Sequence, residues 1–183
     1  MRPSRTKFAI LGILASGPKS GYDIRKAIES SIGYFWQESY GQLYPVLKVL
    51  EKEKCVTRKS VEQQKKPDAK IYTITDTGLR ELRNWLAEPV RKPPLREEVL
   101  LKLFFGSHAN PEDLIAMLRK EQEEASELSR ILTEIQSNLA SCYEPRDILF
   151  SEITLDYGIQ YMKMQMHWAK RSMDKIKNRG RGK

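Results

Sequence analysis

The chain has 183 residues, 40% of them apolar, enough to bury one or two ordinary globular cores. Its formal charge of +8 is uneven: residues 1–86 hold 16 basic against 9 acidic side chains, residues 87–176 net −3, and the last seven residues add +4. A basic half beside a mildly acidic one points to a polyanionic partner for one half only, and no apolar run approaches the roughly 18 residues that span a bilayer.

The N-terminal MRPSRTKFAILGILASG, with an apolar run at residues 6–15 (TKFAILGILA), superficially resembles a secretion signal. The run is short and leads straight into an amphipathic segment, so it reads as a buried helix ended by Gly17-Pro18. Ser20 caps a second helix, with Asp23 in the capping-box position and Ile24, Ala27 and Ile28 on its buried face. Gly33 ends it, and Tyr34-Phe35-Trp36 follows as a strand-like segment. Ser39 caps a third helix, with Gln42 at the box position. Leu43, Val46, Leu47 and Leu50 then recur at i, i+3, i+4 and i+7 and define a buried face. Pro45, one turn in, is expected to lose a bond to the Gly41 carbonyl and perturb the first turn. Residues 55–62 and 70–75 alternate as two strands around a polar turn, QQKKPDA, and form a wing. Thr75 opens a fourth helix with Leu79, Leu82 and Leu86 facing inward.

The prolines of EPVRKPPLRE mark a linker. The expected organisation is a DNA-binding domain over 1–88, a linker over 89–95, a helical dimerisation domain over 96–177 and a disordered basic tail over 178–183. A short helix covers about 96–106. Asn110 caps the next, with Pro111 at its first position and Glu112 and Asp113 in its first turn. Leu114, Leu118, Ala125, Leu128, Leu132, Ile135 and Leu139 form a heptad stripe interrupted at Glu121. Pro145 separates this helix from the last, about 147–177, whose own stripe is Leu155, Ile159, Met162, Met166, Ala169, Met173 and Ile176. A second row, Phe150, Tyr157, Tyr161, Met164 and Trp168, lies about 200° around the same helix. One neighbouring helix covers one such face. The other needs a second copy of the chain or the wing domain folded back onto it. Leu155, Ile159, Met162, Met166 and Met173 are the dimer-interface candidates. Phe150, Tyr161, Met164 and Trp168, with Trp36 and Trp85 as further contributors, are candidates for a small aromatic effector pocket. The competing reading is plain core.

Three helices followed by a two-stranded wing is the order of a winged helix-turn-helix, so the fold class is mainly α with a small β-wing. The outward face of the third helix carries Tyr40, Gln42, Tyr44, Lys48 and Lys52. Gln42 can form two hydrogen bonds to an adenine edge, the tyrosines can reach phosphates or thymine methyls, and Lys48 can contact guanine or phosphate. For Tyr40 and Tyr44 the alternative is packing on Trp36 or the wing. Lys65 and Lys66 at the wing tip and Lys70 beyond it would meet phosphates or the minor groove, and Arg5 and Lys7 ahead of the first helix would touch the backbone. No nucleophile-base pair, metal set or phosphate loop is present, so neither catalysis nor a cofactor or metal is expected. Cys55 and Cys142 read as reduced, buried thiols. The rival to double-stranded DNA is an acidic protein partner for the basic face.

The stretch SYGQLYPVLKVLEKEKCV resembles the recognition-helix signature of the PadR family of bacterial transcriptional regulators, in which Gly, Leu-Tyr-Pro, Leu and Leu-Glu recur at this spacing. ILGILASGPKSGYDI upstream and KIYTITDTG downstream extend the likeness over about residues 6–86. The helical remainder is similar to the subgroup with a long dimerisation domain, as in AphA-type virulence activators. The resemblance implies a cytoplasmic homodimer, nucleoid-associated when bound, on a palindromic operator. Such proteins are usually repressors and often respond to a small molecule. By motif position it makes Tyr40, Gln42, Tyr44 and Lys48 DNA-facing and Leu43, Leu47 and Leu50 core. Two features depart from the family: Lys54-Cys55 stands where Gly-Leu is usual, and Lys65-Lys66-Pro67-Asp68 replaces a glycine-rich wing turn.

Overall fold

The computed structural model describes residues 5–36, 40–63, 66–90, 94–139 and 145–180. It forms two compact units, Met1–Lys92 and Pro93–Lys183. The first runs α1 (Thr6–Ala15), β1 (Lys19–Ser20), α2 (Gly21–Ser30), a 3-10 turn (Tyr40–Gln42), α3 (Leu43–Lys52), β2 (Val56–Gln63), β3 (Lys66–Ile74) and α4 (Asp76–Leu86).

α1 is the centre of this unit. Its apolar residues lie on nearly every side, and Ile10, Leu11 and Leu14 are buried together with Ile24 and Ile28 of α2, Leu43, Leu47 and Leu50 of α3, and Val56 and Tyr72 of the sheet. The sheet is antiparallel in the order β1-β3-β2. β2 and β3 pair from Val56 opposite Ile74 to Gln63 opposite Lys66. β1 adds two pairs, Lys19 with Tyr72 and Ser20 with Ile71. Ser20 then turns the chain into α2 through the expected capping box: its Oγ accepts from the Asp23 N–H at 3.1 Å, and its own N–H donates to Asp23 Oδ2 at 3.3 Å.

Several sequence expectations differ from the structure. Tyr34-Phe35-Trp36 is a turn rather than a strand. The Phe35 and Trp36 N–H groups both donate to the Ile32 carbonyl, so the chain keeps winding beyond α2. A short apolar run reads alike whether it is extended or coiled. The wing is longer than alternation implies, since β3 begins at Lys66 within the expected turn. A ribbon with both faces in water carries no apolar-polar alternation to read. Leu86, expected inside, is 67% exposed. Ser39, expected as the α3 cap, and Cys142 lie outside the described residues. The α-helix proper starts at Leu43 after the 3-10 turn, with Gln42 as N-cap. That start makes Pro45 the third helical residue, where an N–H has no intrahelical partner to lose.

The end of α3 shows how the helix terminates without a glycine. Lys54 takes a left-handed backbone conformation, φ 58°. The Cys55 N–H donates to the Leu50 carbonyl at 2.9 Å and the Lys54 N–H to the Glu51 carbonyl at 3.0 Å, which is the Schellman pattern. The core contact between Cys55 and Leu50 holds it closed. A side chain at this φ is strained by about 1–2 kcal/mol, of which glycine's extra freedom in the unfolded chain offsets part. Lys54→Gly is therefore expected to stabilise the protein by about 0.5–1 kcal/mol, read as a higher denaturation midpoint; a lower midpoint contradicts the strain.

The second unit comprises α5 (Glu98–Phe104), a 3-10 turn (Gly106–His108), α6 (Pro111–Ser137) and α7 (Pro145–Gly180). Asn110 caps α6 as expected, its Oδ1 accepting from the Glu112 N–H, with Pro111 in the first turn. α6 and α7 pack against each other. The α6 stripe buries Leu118, Ala125 and Leu132, and the α7 stripe buries Leu155, Ile159, Ala169 and Met173. Val99 and Leu103 of α5 close one end over Leu118, Ala169 and Met173.

Candidate nucleic-acid interface

With Leu43, Leu47 and Leu50 in the core, α3 turns Gln42, Tyr44, Lys48 and Lys52 outward, all exposed. Gln42 makes no side-chain capping bond, so its amide is not engaged at the helix start. Pro45 and Val49 are also exposed on this side, Val49 by 50%. A polarity-based reading passes them over, yet Gly41, Pro45, Lys48 and Lys52 follow the helical spacing that marks the centre of the outward face. Apolar groups there suit thymine methyls. The Tyr40 backbone lies in the 3-10 turn, and its side chain lies outside the described residues.

The wing is tied to this helix. Arg58 of β2 bridges to Glu51 of α3 at 3.2 Å. It sits opposite Tyr72 in the register. Burial pushes the Tyr72 phenol above its ordinary pKa, partly countered by Arg58. Strand alternation puts Lys70, opposite Ser60, on the same sheet face as Arg58 and Tyr72, and Lys70 is exposed. Lys65 and the side chain of Lys66 lie outside the described residues.

Two N-terminal candidates part company. Arg5 is the N-cap of α1 and partly buried, its carbonyl accepting from the Phe8 N–H. Lys7 is directed into the domain: its Nζ bridges Glu53 at 3.1 Å and Glu81 at 3.2 Å, and its side chain is 17% exposed. Burial alone would lower its pKa, but the bonds and charges of the two carboxylates outweigh that and raise it. Its charge is neutralised internally and serves to join α1 to the end of α3 and to α4. This corrects its expected role as a DNA contact.

The α7 expectations also change. Leu155, Ile159 and Met173 are 4, 5 and 7% exposed within the single chain, and Met162 and Met166 are partly buried beside them. This stripe is already covered inside the protomer. The outward row is the other one: Phe150, Ile153, Tyr157 and Met164 are 67, 58, 69 and 52% exposed. Of the effector candidates, Trp168 packs on the Leu118–Ala169–Met173 cluster. Tyr161 accepts from Gln165 Nε2 at 3.1 Å and stacks at 6.3 Å on Tyr157. Phe150 and Met164 are surface residues of the single chain, and within it the four form a row along α7. Trp85 stacks on Phe8 at 4.6 Å in the first unit, and the Trp36 indole N–H is buried there. A groove of about 580 Å³ along α6, lined by Ser126, Ser129, Arg130, Thr133, Glu134 and Ser137 with Met166 of α7, includes none of the effector-pocket candidates.

The transcriptional regulator PadR-like family matches residues 10–84, the span of the α1–α4 unit. The negative transcriptional regulator PadR of Bacillus subtilis is 36% identical over 130 residues, covering 67% of this chain and 70% of that protein. The chain belongs to the PadR-like family of transcriptional regulators. Its second unit matches the family described as virulence activator alpha C-term over residues 95–177. The structure of B. subtilis PadR in complex with operator DNA superposes with a TM-score of 0.82 at 29% identity, covering 93% of this chain and 98% of that one. The same protein in complex with p-coumaric acid gives 0.75 at 28%, covering 97% and 98%. The Vibrio cholerae virulence activator AphA gives 0.73 at 26%, covering 94% and 98%. PadR-like proteins are DNA-binding regulators, not enzymes. No described helix is long and apolar enough to cross a membrane.

Proposed function

We propose that this PadR-like protein is a homodimeric repressor that grips an inverted-repeat operator with two copies of α3, acts in the cytoplasm on the nucleoid, and is released by a small aromatic molecule. The observation that carries the DNA reading is the outward face of α3, with Gln42, Tyr44, Pro45, Lys48 and Val49 exposed beside an exposed Lys70. An α-helix of this width fits the major groove, about 12 Å wide, and places an amide, methyl-contacting groups and a cation where base edges and phosphates lie. The wing lysines 65, 66 and 70 and Arg5 supply flanking charge. Repression and release by an aromatic acid are supported by the negative regulator PadR, solved with operator DNA and with p-coumaric acid.

The test is selection of bound duplexes from genomic DNA, followed by titration of the selected site against a scrambled one. Sequence preference that holds against competitor DNA is expected; equal binding to both duplexes refutes the reading. Gln42→Ala is expected to lose about 1–3 kcal/mol and to relax preference at one base pair per half-site. Lys48→Ala, as a phosphate contact, weakens all sequences alike and lowers the salt slope by about one per half-site. Adding p-coumaric acid or a related phenolic acid is expected to release the duplex; continued binding across such a panel removes the induction step.

A further inference from the structure

Gly21 is the first residue of α2 and is buried. Its φ lies outside the left-handed region, so the backbone there is open to any residue. The reason for a glycine is space. A Cβ at this position would lie 2.8 Å from Tyr44 Cε1, 3.2 Å from the Tyr44 hydroxyl and 3.3 Å from Cζ. The far end of the Tyr44 ring therefore rests directly on the α2 backbone, while the residue remains 55% exposed. The seat is rigid. The Ser20–Asp23 capping box fixes the first turn of α2, and β1 ties Lys19 and Ser20 to Tyr72 and Ile71 of β3.

We infer that Gly21 is a positioning residue for operator recognition: lacking a side chain, it lets the Tyr44 ring lie on the start of α2, fixing where α3 presents its hydroxyl to DNA. This rests on the reading of Tyr44 as a DNA contact. A methyl group at 21 meets the end of a movable, half-exposed side chain rather than backbone. The ring can swing outward at little expense to the fold. A contact of hydrogen-bond range does not survive such a displacement. Alanine is also a better helix residue than glycine, so stability is expected to hold or rise.

The experiment is a double-mutant cycle on the full-length chain. Wild type, Gly21→Ala, Tyr44→Ala and the double variant are titrated against a labelled duplex selected by the wild-type protein, with a scrambled duplex as control and a thermal melt of each. Gly21→Ala is expected to bind the selected duplex about tenfold more weakly with an unchanged or higher Tm, the size of one lost contact. In the Tyr44→Ala background the same substitution is expected to change affinity less than twofold. Gly21→Ala binding like wild type overturns the inference, as does an undiminished effect in the Tyr44→Ala background. A lowered Tm for Gly21→Ala also overturns it, because the glycine then serves the fold. A silent Tyr44→Ala removes the Tyr44 contact and this inference with it, whereas a weak Tyr44→Ala beside a silent Gly21→Ala removes the inference alone.

Discussion

Replacing Gly78 with alanine is expected to lower the melting temperature of the DNA-binding unit by roughly 10–20 °C. Gly78 lies in the first turn of α4, and its N–H donates to Thr75 Oγ1 at 3.1 Å. A Cβ there would collide with the Cys55 carbonyl oxygen, with Ile74 Cγ1 only 2.9 Å away on another side. Neither can give. The Cys55 carbonyl already accepts from the Thr75 N–H at 3.0 Å. The Thr75 hydroxyl donates to the Lys54 carbonyl at 2.7 Å and lies 3.1 Å from that of Cys55. Cys55 itself is 2% exposed in the core, where burial also holds its thiol above the ordinary pKa. The clash is therefore between two backbone segments that the Schellman cap, the β3 end and the α4 cap all fix. Overpacking at such a point costs about 1–3 kcal/mol or more. Thermal melts of the variant and the wild type decide it; coincident melts show that the junction can relax and that the contact is softer than its geometry implies.

The second large effect concerns the outer row of α7. If a second copy covers Ile153 and Tyr157, an Ile153→Asp/Tyr157→Asp variant stays helical, because both side chains are exposed in the single chain at 58 and 69%. It is expected to run as a monomer in light scattering and to bind the selected operator at least a hundredfold more weakly, since two linked half-site contacts become one. Ile159→Asp provides the contrast. Ile159 is 5% exposed, so a charge there is left buried without a partner and is expected to unfold the helical unit. A dimeric double variant with full operator affinity excludes this row as the seam.

Legibility in the sequence follows the range of the interaction. The capping bonds of Ser20, Thr75 and Asn110 span two or three residues, and each is found where the residue types place it. The α3 face behaves the same way, because its i, i+4 and i+7 leucines must share one side of a helix. Lys7 shows the opposite case. Its partners Glu53 and Glu81 are 46 and 74 residues away, and nothing local distinguishes a lysine that will meet DNA from one that will close an internal ion pair. The start of α3 and the strand formed by Lys19 and Ser20 were likewise hidden. A 3-10 turn and a two-residue edge strand have too few residues to set up a period.

Patterns local to the chain carry the α-helices, the buried side of α3, the caps at Ser20, Thr75 and Asn110, and the two apolar faces of the last helix. Which of those faces is internal follows from packing alone: the α7 stripe of Leu155, Ile159 and Met173 is spent within the chain, and the row of Ile153 and Tyr157 is left exposed. Packing also decides why glycine stands at 21 and 78, and how Lys54 can end α3 in its place. The physical reason is common to all of these. Periodicity and capping are set by neighbours along the chain, whereas the occupant of a face, the partner of a charge and the space beside a backbone are set by segments that meet only when it folds.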